Sequence, residues 1–412
     1  MIHRVPSNGE KEAGLENALQ LKQLELNSLL EVTQAINYNL PEESLYKIFY
    51  FTLIANLKIK KFALYVFDAG WSCKVNYGTK ANFKSIELDE TFFNVSKISK
   101  LEQKAECQFS EFDLLIPVAH KSQLLAIVFI GGLELGEENT DVSFVQTFAN
   151  IITVAIENKK LARKELQQEA FRKELEIARD VQSHLFPKSL PNNERIVIQA
   201  DYLPHHSIGG DYYDYVPLSD NEFFICVADV SGKGIPAALL MSNFQACLRT
   251  MLRQTSDLKK IVTELNYITR LNARGERFIT FFAMIVDLKS RKARYINAGH
   301  NPAIIIQKGE ATTLENGTTI LGIFEDLPFL SEDELSVDEN SLLFLYTDGV
   351  TETSNPEEEE FGVERFIEFL QQHSGQENQE IHKGLMEALN TFKGKKAFPD
   401  DITFVSCRIK GF

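Results

Sequence analysis

Aspartates stand beside glycines or at the ends of apolar runs throughout the second half of this 412-residue chain: Asp211 in SIGGDYYDY, Asp229 in ADVSGKG, Asp287 in VDLKS, Asp348 in YTDGV, and Asp400 with Asp401 in FPDDITFV. An apolar strand that ends in a carboxylate holds a hard oxygen donor at the rim of a rigid sheet. Four such donors, gathered without His or Cys beside them, suit Mg²⁺ or Mn²⁺ rather than zinc. Taken singly, each reads equally as a turn residue, because Asp favours turns through local hydrogen bonds. Glycines flank several of them: Gly209 and Gly210 precede Asp211, Gly232 and Gly234 follow Asp229, and Gly349 follows Asp348. Glycine permits sharp backbone geometry and close approach to a ligand.

The elements that must position these groups can be read around them. From about residue 190 onward, EFFICVADV, FFAMIVDL, RYINAGH and SLLFLYTDG read as strands between turn signals, and 236 to 273 reads as two helices. Upstream, residues 156 to 186 are highly charged and free of Pro and Gly, and Pro187 stops the helix they predict. Phe171, Leu175, Ala178, Val181 and Leu185 follow one another at helical spacing. Such a stripe packs either on its own domain or, as a parallel coiled coil, on a second copy. As the only connection between two domains, this linker is expected to carry a signal.

Nearer the N-terminus, Leu15, Leu19, Leu26, Leu30 and Ile36 predict an amphipathic helix over 13 to 37, ended by Pro41. A second helical stretch, SLYKIFYFTLIANL, leads to FALYVFD, where Phe62, Leu64 and Val66 alternate, and to a turn at Asp68-Ala69-Gly70. LLIPVAH and LLAIVFIGG, joined by a His120 to Gln123 turn, predict a hairpin with one buried face. A helix over 141 to 161 follows. Cys73, Cys107 and His120 read as packed or surface residues rather than metal or haem ligands.

Bulk composition excludes several classes of function. The chain carries 58 acidic against 43 basic residues, a net charge of -15. A nucleic-acid binder needs a basic stripe, so DNA and RNA are excluded as expected partners. Five cysteines spread singly form neither a disulfide framework nor a CxxC metal pair, as expected in a reducing cytoplasm. The longest apolar stretch, Leu114 to Leu133, is interrupted at His120 to Gln123, so no membrane span is expected, and the N-terminus lacks the apolar core of a secretory signal.

The order of elements over about 20 to 160, above all the LIPVAHKSQLLAIVFIGG hairpin and the helix after it, resembles a GAF-type sensor domain; PAS domains share much of this pattern. The ordered set GGDYYDY (209 to 215), ADVSGKGIPAALLMS (228 to 242), INAGHNP (296 to 302), YTDGVTE (346 to 352) and DDIT (400 to 403) resembles SpoIIE/RsbU-type serine/threonine phosphatases, members of the metal-dependent PPM (protein phosphatase 2C-like) superfamily. ELEIARDVQSHLFP (174 to 187) is similar to that family's switch linker.

Together these resemblances imply an α+β multidomain chain. Residues 1 to 19 form an N-terminal segment and the start of the first helix, 20 to 160 a GAF-like α/β sensor, 161 to 189 a helical, coiled-coil-like linker, and 190 to 412 a PPM-type αββα sandwich. The family's metal ligands map onto Asp211, bridging two ions, and onto Asp229, Asp348, Asp400 and the carbonyl of Val230. Two Mn²⁺ or Mg²⁺ ions would then activate a water for in-line attack on phosphoserine or phosphothreonine. Asp401 is expected to support the turn. Asp214 reads as a cap or as a water-mediated metal contact, and His300 as a brace for its turn or as a general acid. The second motif has Lys233 where some PPM enzymes carry a His that serves as general acid, which leaves protonation of the serine oxygen unassigned. Ala237, Ala238, Leu239 and Met241 match the family's switch helices, facing the active-site sheet, and Glu357 to Glu360 reads as a solvated loop.

The implied partners are a phosphorylated STAS-domain anti-sigma antagonist as substrate, a small-molecule or protein signal at the sensor, and a second copy in a homodimer. A GGDEF-like nucleotide cyclase, suggested by GGDYYDY, has Tyr212 and Tyr213 where Glu-Phe is needed and leaves the later aspartates without a role. A non-catalytic signalling scaffold leaves the retained ligand set unexplained.

Overall fold

A computed structural model describes residues 8–88, 90–93, 95–101, 108–120, 123–132, 142–205 and 207–412. Cys107, Lys121 and Ser122, and the side chain of Leu15, lie outside the described residues. The chain divides into two compact units, Met1–Glu169 and Ala170–Phe412. The division falls inside the segment expected to be the linker.

In the first unit, α1 (Asn8–Asn37) and α2 (Glu42–Phe51), with a π-helical turn at Thr52–Asn56, precede β1 (Lys61–Phe67), β2 (Trp71–Tyr77), β3 (Ser99–Lys100), β4 (Leu114–His120) and β5 (Gln123–Gly131). The strands form one antiparallel sheet in the order β2-β1-β5-β4-β3. Helix α3 (Val142–Ser183) follows.

Two expectations change here. The face of α1 that packs is Ser28, Val32 and Ala35, with Leu29 and Ile36 half-buried, whereas Leu19, Leu26 and Leu30 are exposed. Four leucines and Ile36 defined a stripe, but the buried stripe runs through smaller and polar residues whose packing value depends on what lies opposite. The hairpin is also buried on both faces: Ile116, Val118, Val128 and Ile130 pack with the helices, while Leu115, Ile127 and Phe129 join a second core. In β1 the two cores take alternate residues, Phe62, Leu64 and Val66 on one side and Ala63 and Tyr65 on the other.

The second unit contains β6 (Ile196–Leu203), β7 (Tyr212–Pro217), β8 (Glu222–Val230), α4 (Ile235–Leu252), α5 (Leu258–Ala273), β9 (Ile279–Asp287), β10 (Lys292–Ala298), β11 (Ala303–Gln307), β12 (Glu310–Leu314), β13 (Gly317–Thr318), β14 (Asp333–Ser336), β15 (Ser341–Tyr346), α6 (Asp348–Thr351), α7 (Gly362–His373), α8 (Asn378–Lys393) and β16 (Ile402–Ile409). One sheet runs β13-β10-β9-β8-β7 with β14 beside β10; the other runs β12-β11-β15-β16-β6.

Three cores define four layers. Phe224, Cys226, Phe281 and Ile285 pack under α4 and α5; Phe223, Ile225, Phe282 and Leu343 fill the space between the sheets; Phe344 and Phe404 pack under α7 and α8. This is the αββα sandwich that the resemblance implied. Strand β8 is apolar on both faces because one meets helices and the other meets the opposite sheet. Pro236 in the first turn of α4 and Asp257 at the N-cap of α5, accepting from the Lys260 N–H at 3.1 Å, fix where those helices begin.

Candidate metal centre

The carboxylates stand at the ends of neighbouring strands, β7 and β8 in one sheet and β15 and β16 in the other. Asp211 immediately precedes β7, Asp229 and Val230 end β8, Asp348 opens α6 just after β15, and Asp400 precedes β16. Antiparallel pairing of Tyr212 with Ala228 brings the start of β7 beside the end of β8. Pairing of Tyr346 with Phe404 does the same for the other two.

Asp211 is buried, and its Oδ2 accepts from the Thr347 hydroxyl at 2.8 Å and the Thr403 hydroxyl at 2.5 Å. Burial, then Asp229, then Asp401 push its carboxyl well above the usual carboxylate range. Burial, then Asp348 and Asp400, push Asp229 up to about 7. Asp348 is raised by burial and by Asp400. The causes share one meaning: negative charge is gathered out of water without enough compensation inside the chain.

That is a donor set that hard divalent cations would satisfy. Among the described residues no three His, Cys, Asp or Glu side chains stand as a ready-made cage for one ion. The aspartates instead adjoin one another in succession, Asp211 to Asp229 and Asp229 to Asp348 and Asp400. The Lys233 ammonium lies 3.1 Å from Asp400 and also donates to the Pro399 carbonyl.

The surrounding residues divide by role. Asp401 accepts from the backbone N–H groups of His205 and Gly210 at 2.7 and 2.8 Å, so it holds the glycine loop ahead of Asp211. Gly349 is required at its position, because a Cβ there would lie 2.0 Å from the Asp401 carbonyl oxygen. His300 is buried; its Nε2–H donates to the Tyr346 carbonyl at 3.0 Å, which leaves Nδ1 to accept from the Thr280 hydroxyl at 2.7 Å. Burial lowers it to about 4, so it is a neutral brace between the sheets, with its one N–H already donated to the Tyr346 carbonyl.

Asp214 is committed elsewhere: Arg249 grips both of its oxygens, and the Tyr212 hydroxyl and the Tyr215 N–H donate to it as well. Asp287 lies at the far end of β9, level with Glu222, and caps its own turn through the Lys289 N–H. Ala237, Ala238 and Met241 are buried, but Leu239 is exposed and faces away from the sheet. At helical spacing its neighbours Ala238 and Leu240 already take the inward positions.

Residue types alone did not mark Thr347 and Thr403, although both sit inside the quoted motifs, Thr347 beside Asp348 and Thr403 three residues after Asp400. Glu352, exposed, has its carboxyl raised by partial burial and then by Asp348, Glu360 and Asp400, which places it at the rim. Gln182, near the end of α3, donates to the Gly209 carbonyl at 2.9 Å.

The family described as stage II sporulation protein E (SpoIIE) matches residues 219–410. Protein IcfG of Synechocystis sp. is 29% identical over 276 residues, 60% of this chain and 43% of that protein. Phosphoserine phosphatase RsbU of Bacillus subtilis is 30% identical over 248 residues, 59% of this chain and 72% of that protein. The chain thus spans less than half of IcfG. Among solved structures, the SiaA-PP2C domain of Pseudomonas aeruginosa matches with a TM-score of 0.53 and 22% identity, over 59% of this chain and 98% of that one. That likeness concerns the fold.

Proposed function

Because the chain belongs to the SpoIIE/RsbU family of PPM-type serine/threonine phosphatases, we propose that its second unit hydrolyses phosphoserine or phosphothreonine on a protein, with Asp211, Asp229, the Val230 carbonyl, Asp348 and Asp400 holding two Mn²⁺ or Mg²⁺ ions. The observation that carries the reading is the mutually repelling aspartate cluster around buried Asp211, one oxygen of which is already held by Thr347 and Thr403. Two divalent ions bound there would supply an acidified water and positive charge for the phosphoryl oxygens. Thr347 and Thr403 orient Asp211, Asp401 shapes the loop before it, and His300 keeps the sheet ends in register.

The substrate is a phosphorylated STAS-domain anti-sigma antagonist, so that dephosphorylation works through partner switching. The first unit is a GAF-like sensor for a small molecule or a protein. The 161 to 189 linker, helical as far as Ser183, joins two copies of the chain; exposure of Phe171 and Val181 along it supports that reading.

Phosphate release from a phosphoserine STAS-domain protein, with and without Mn²⁺, tests the activity. Release that requires Mn²⁺ and disappears in Asp211→Asn and Asp348→Asn is the expected result; release that persists in both variants overturns the assigned centre. Light scattering of the full chain tests the dimer, and a monomer would reject it.

A further inference from the structure

Asp214 is the second fully buried aspartate of this unit and stands three residues beyond Asp211. All its contacts are internal. Arg249 Nε and Nη2 reach Oδ2 and Oδ1 at 2.8 and 2.9 Å, a two-pronged ion pair that fixes angle as well as distance. The Tyr215 N–H donates at 2.9 Å, and the Tyr212 hydroxyl donates to the same carboxylate. Arg249 itself is partly exposed, so it reaches inward from α4.

The helix that carries Arg249 also touches the metal-ligand segments at its other end. It begins at Ile235, a short loop after Asp229 and Val230. In its first turn Ala237 packs against Gly210, where an added Cβ would lie 3.3 Å from the Ala237 Cβ and 2.9 Å from the Val230 carbonyl oxygen. One rigid helix is therefore seated on both sides of Asp211, at Gly210 and at Asp214, and is continuous with the loop that follows Asp229. If the helix shifts on β7, the spacing of Asp211 from Asp229 shifts with it.

We propose that Arg249 is a positioning residue for the metal centre: through Asp214 it locks α4 onto β7 and thereby sets the spacing of Asp211 from Asp229 and Val230. The proposal deepens the metal-dependent reading above and rests on it. An ion pair that served folding alone would lower stability without changing the cation affinity of the folded protein. A lock on ligand spacing changes that affinity directly.

Titration calorimetry of Mn²⁺ into the full-length chain separates the two. Arg249→Gln is expected to bind Mn²⁺ about tenfold or more weakly, as disturbance of an outer-shell partner does, with Arg249→Lys intermediate. Tyr212→Phe, which removes one donor to Asp214 with little change of volume, shifts affinity in the same direction. Leu389→Ala, a cavity in the core under α8, lowers the melting temperature but binds Mn²⁺ as the unsubstituted chain does.

Mn²⁺ affinity of Arg249→Gln within about twofold of the unsubstituted chain, well short of an outer-shell effect, overturns the proposal. So does an equal loss in Leu389→Ala. Should Arg249→Gln fail to fold, Tyr212→Phe decides by the same criterion. Absence of Mn²⁺ binding in the unsubstituted chain defeats the metal-centre reading itself and the proposal with it.

Discussion

The two units bury different kinds of chemistry. In the first, one face of the sheet is closed by aromatic rings: Phe109 lies 4.8 Å from Phe129 and 5.3 Å from Phe83, centroid to centroid, and Tyr65 lies 5.8 Å from Phe129. Its buried hydroxyl, that of Tyr65, is satisfied by the carbonyls of Phe83 and Ile86. In the second, Asp211 and Asp214 are both buried within four residues of chain. Arg249 neutralises Asp214; among the described residues no basic side chain does the same for Asp211, which receives two hydroxyls and faces further carboxylates. Burial of an aspartate is thus no sign of function by itself. What distinguishes Asp211 is a charge that its own chain leaves uncompensated.

Experiments can break or sharpen this contrast, and the largest effect belongs to the ligands. Asp348→Asn should cost Mn²⁺-dependent phosphate release more than the roughly 100-fold upper range of outer-shell changes, while removing a repelling charge leaves the metal-free melting temperature equal or higher. A large fall in melting temperature would instead make Asp348 a structural residue. Phe129→Ala should do the opposite, destabilising the first unit by about 3–5 kcal/mol through its cavity. Calorimetric scans should show this in one transition, with hydrolysis of p-nitrophenyl phosphate retained below it.

Thr347→Val comes next, at about 10- to 100-fold in Mn²⁺ affinity, because it removes one of two donors that orient Asp211; unchanged affinity would show that Thr403 suffices.

The pH dependence has a definite sign. Asp229 is held at about 7 in the metal-free fold, above its ordinary value of 3.8, so the folded state binds more protons than the unfolded state between those limits. This contribution to stability is complete below 3.8 and is lost as pH rises through 7. Cations compete with the same proton, so Mn²⁺ binding should strengthen between pH 5 and pH 8, to the order of the tenfold per unit that one released proton allows. Melting scans with and without Mn²⁺ read both effects, and a flat Mn²⁺ affinity would remove Asp229 from the ligand set.

The smallest effect is expected at His300. His300→Gln keeps a donor for Tyr346 and an acceptor for Thr280, so turnover should fall by about fivefold or less, the equivalent of one ordinary hydrogen bond. Since His300 is held neutral down to about 4, the pH profile between 5 and 8 should keep its shape. Loss of its alkaline limb would restore His300 as a proton donor.

Much of the second unit was legible from residue order. Strand runs ending in aspartate named Asp229 and Asp348, and glycines beside Asp211 and Asp348 marked turns that tolerate no side chain. The same rule also selected Asp287, and only strand register removes it. Asp287 pairs level with Glu222 while Asp229 pairs with Thr280, so the two aspartates stand at opposite ends of the sheet. In the first unit the alternation of Phe62, Leu64 and Val66 was visible, but the second buried face was not, because Ala63 and Tyr65 become core only when Phe83, Phe109 and Phe129 arrive from elsewhere in the chain.

The sequence by itself determined the inventory of aspartates beside glycines and at strand ends, and most of the strands and helices that carry them, since each depends on residue type and on neighbours a few positions away. The tertiary structure decided which carboxylates are answered and which are not. Asp214 meets Arg249 across 35 residues, and Asp211 meets Thr403 across 192. Electrostatic energy depends on distance in space and on exclusion of water, and neither can be counted along the chain.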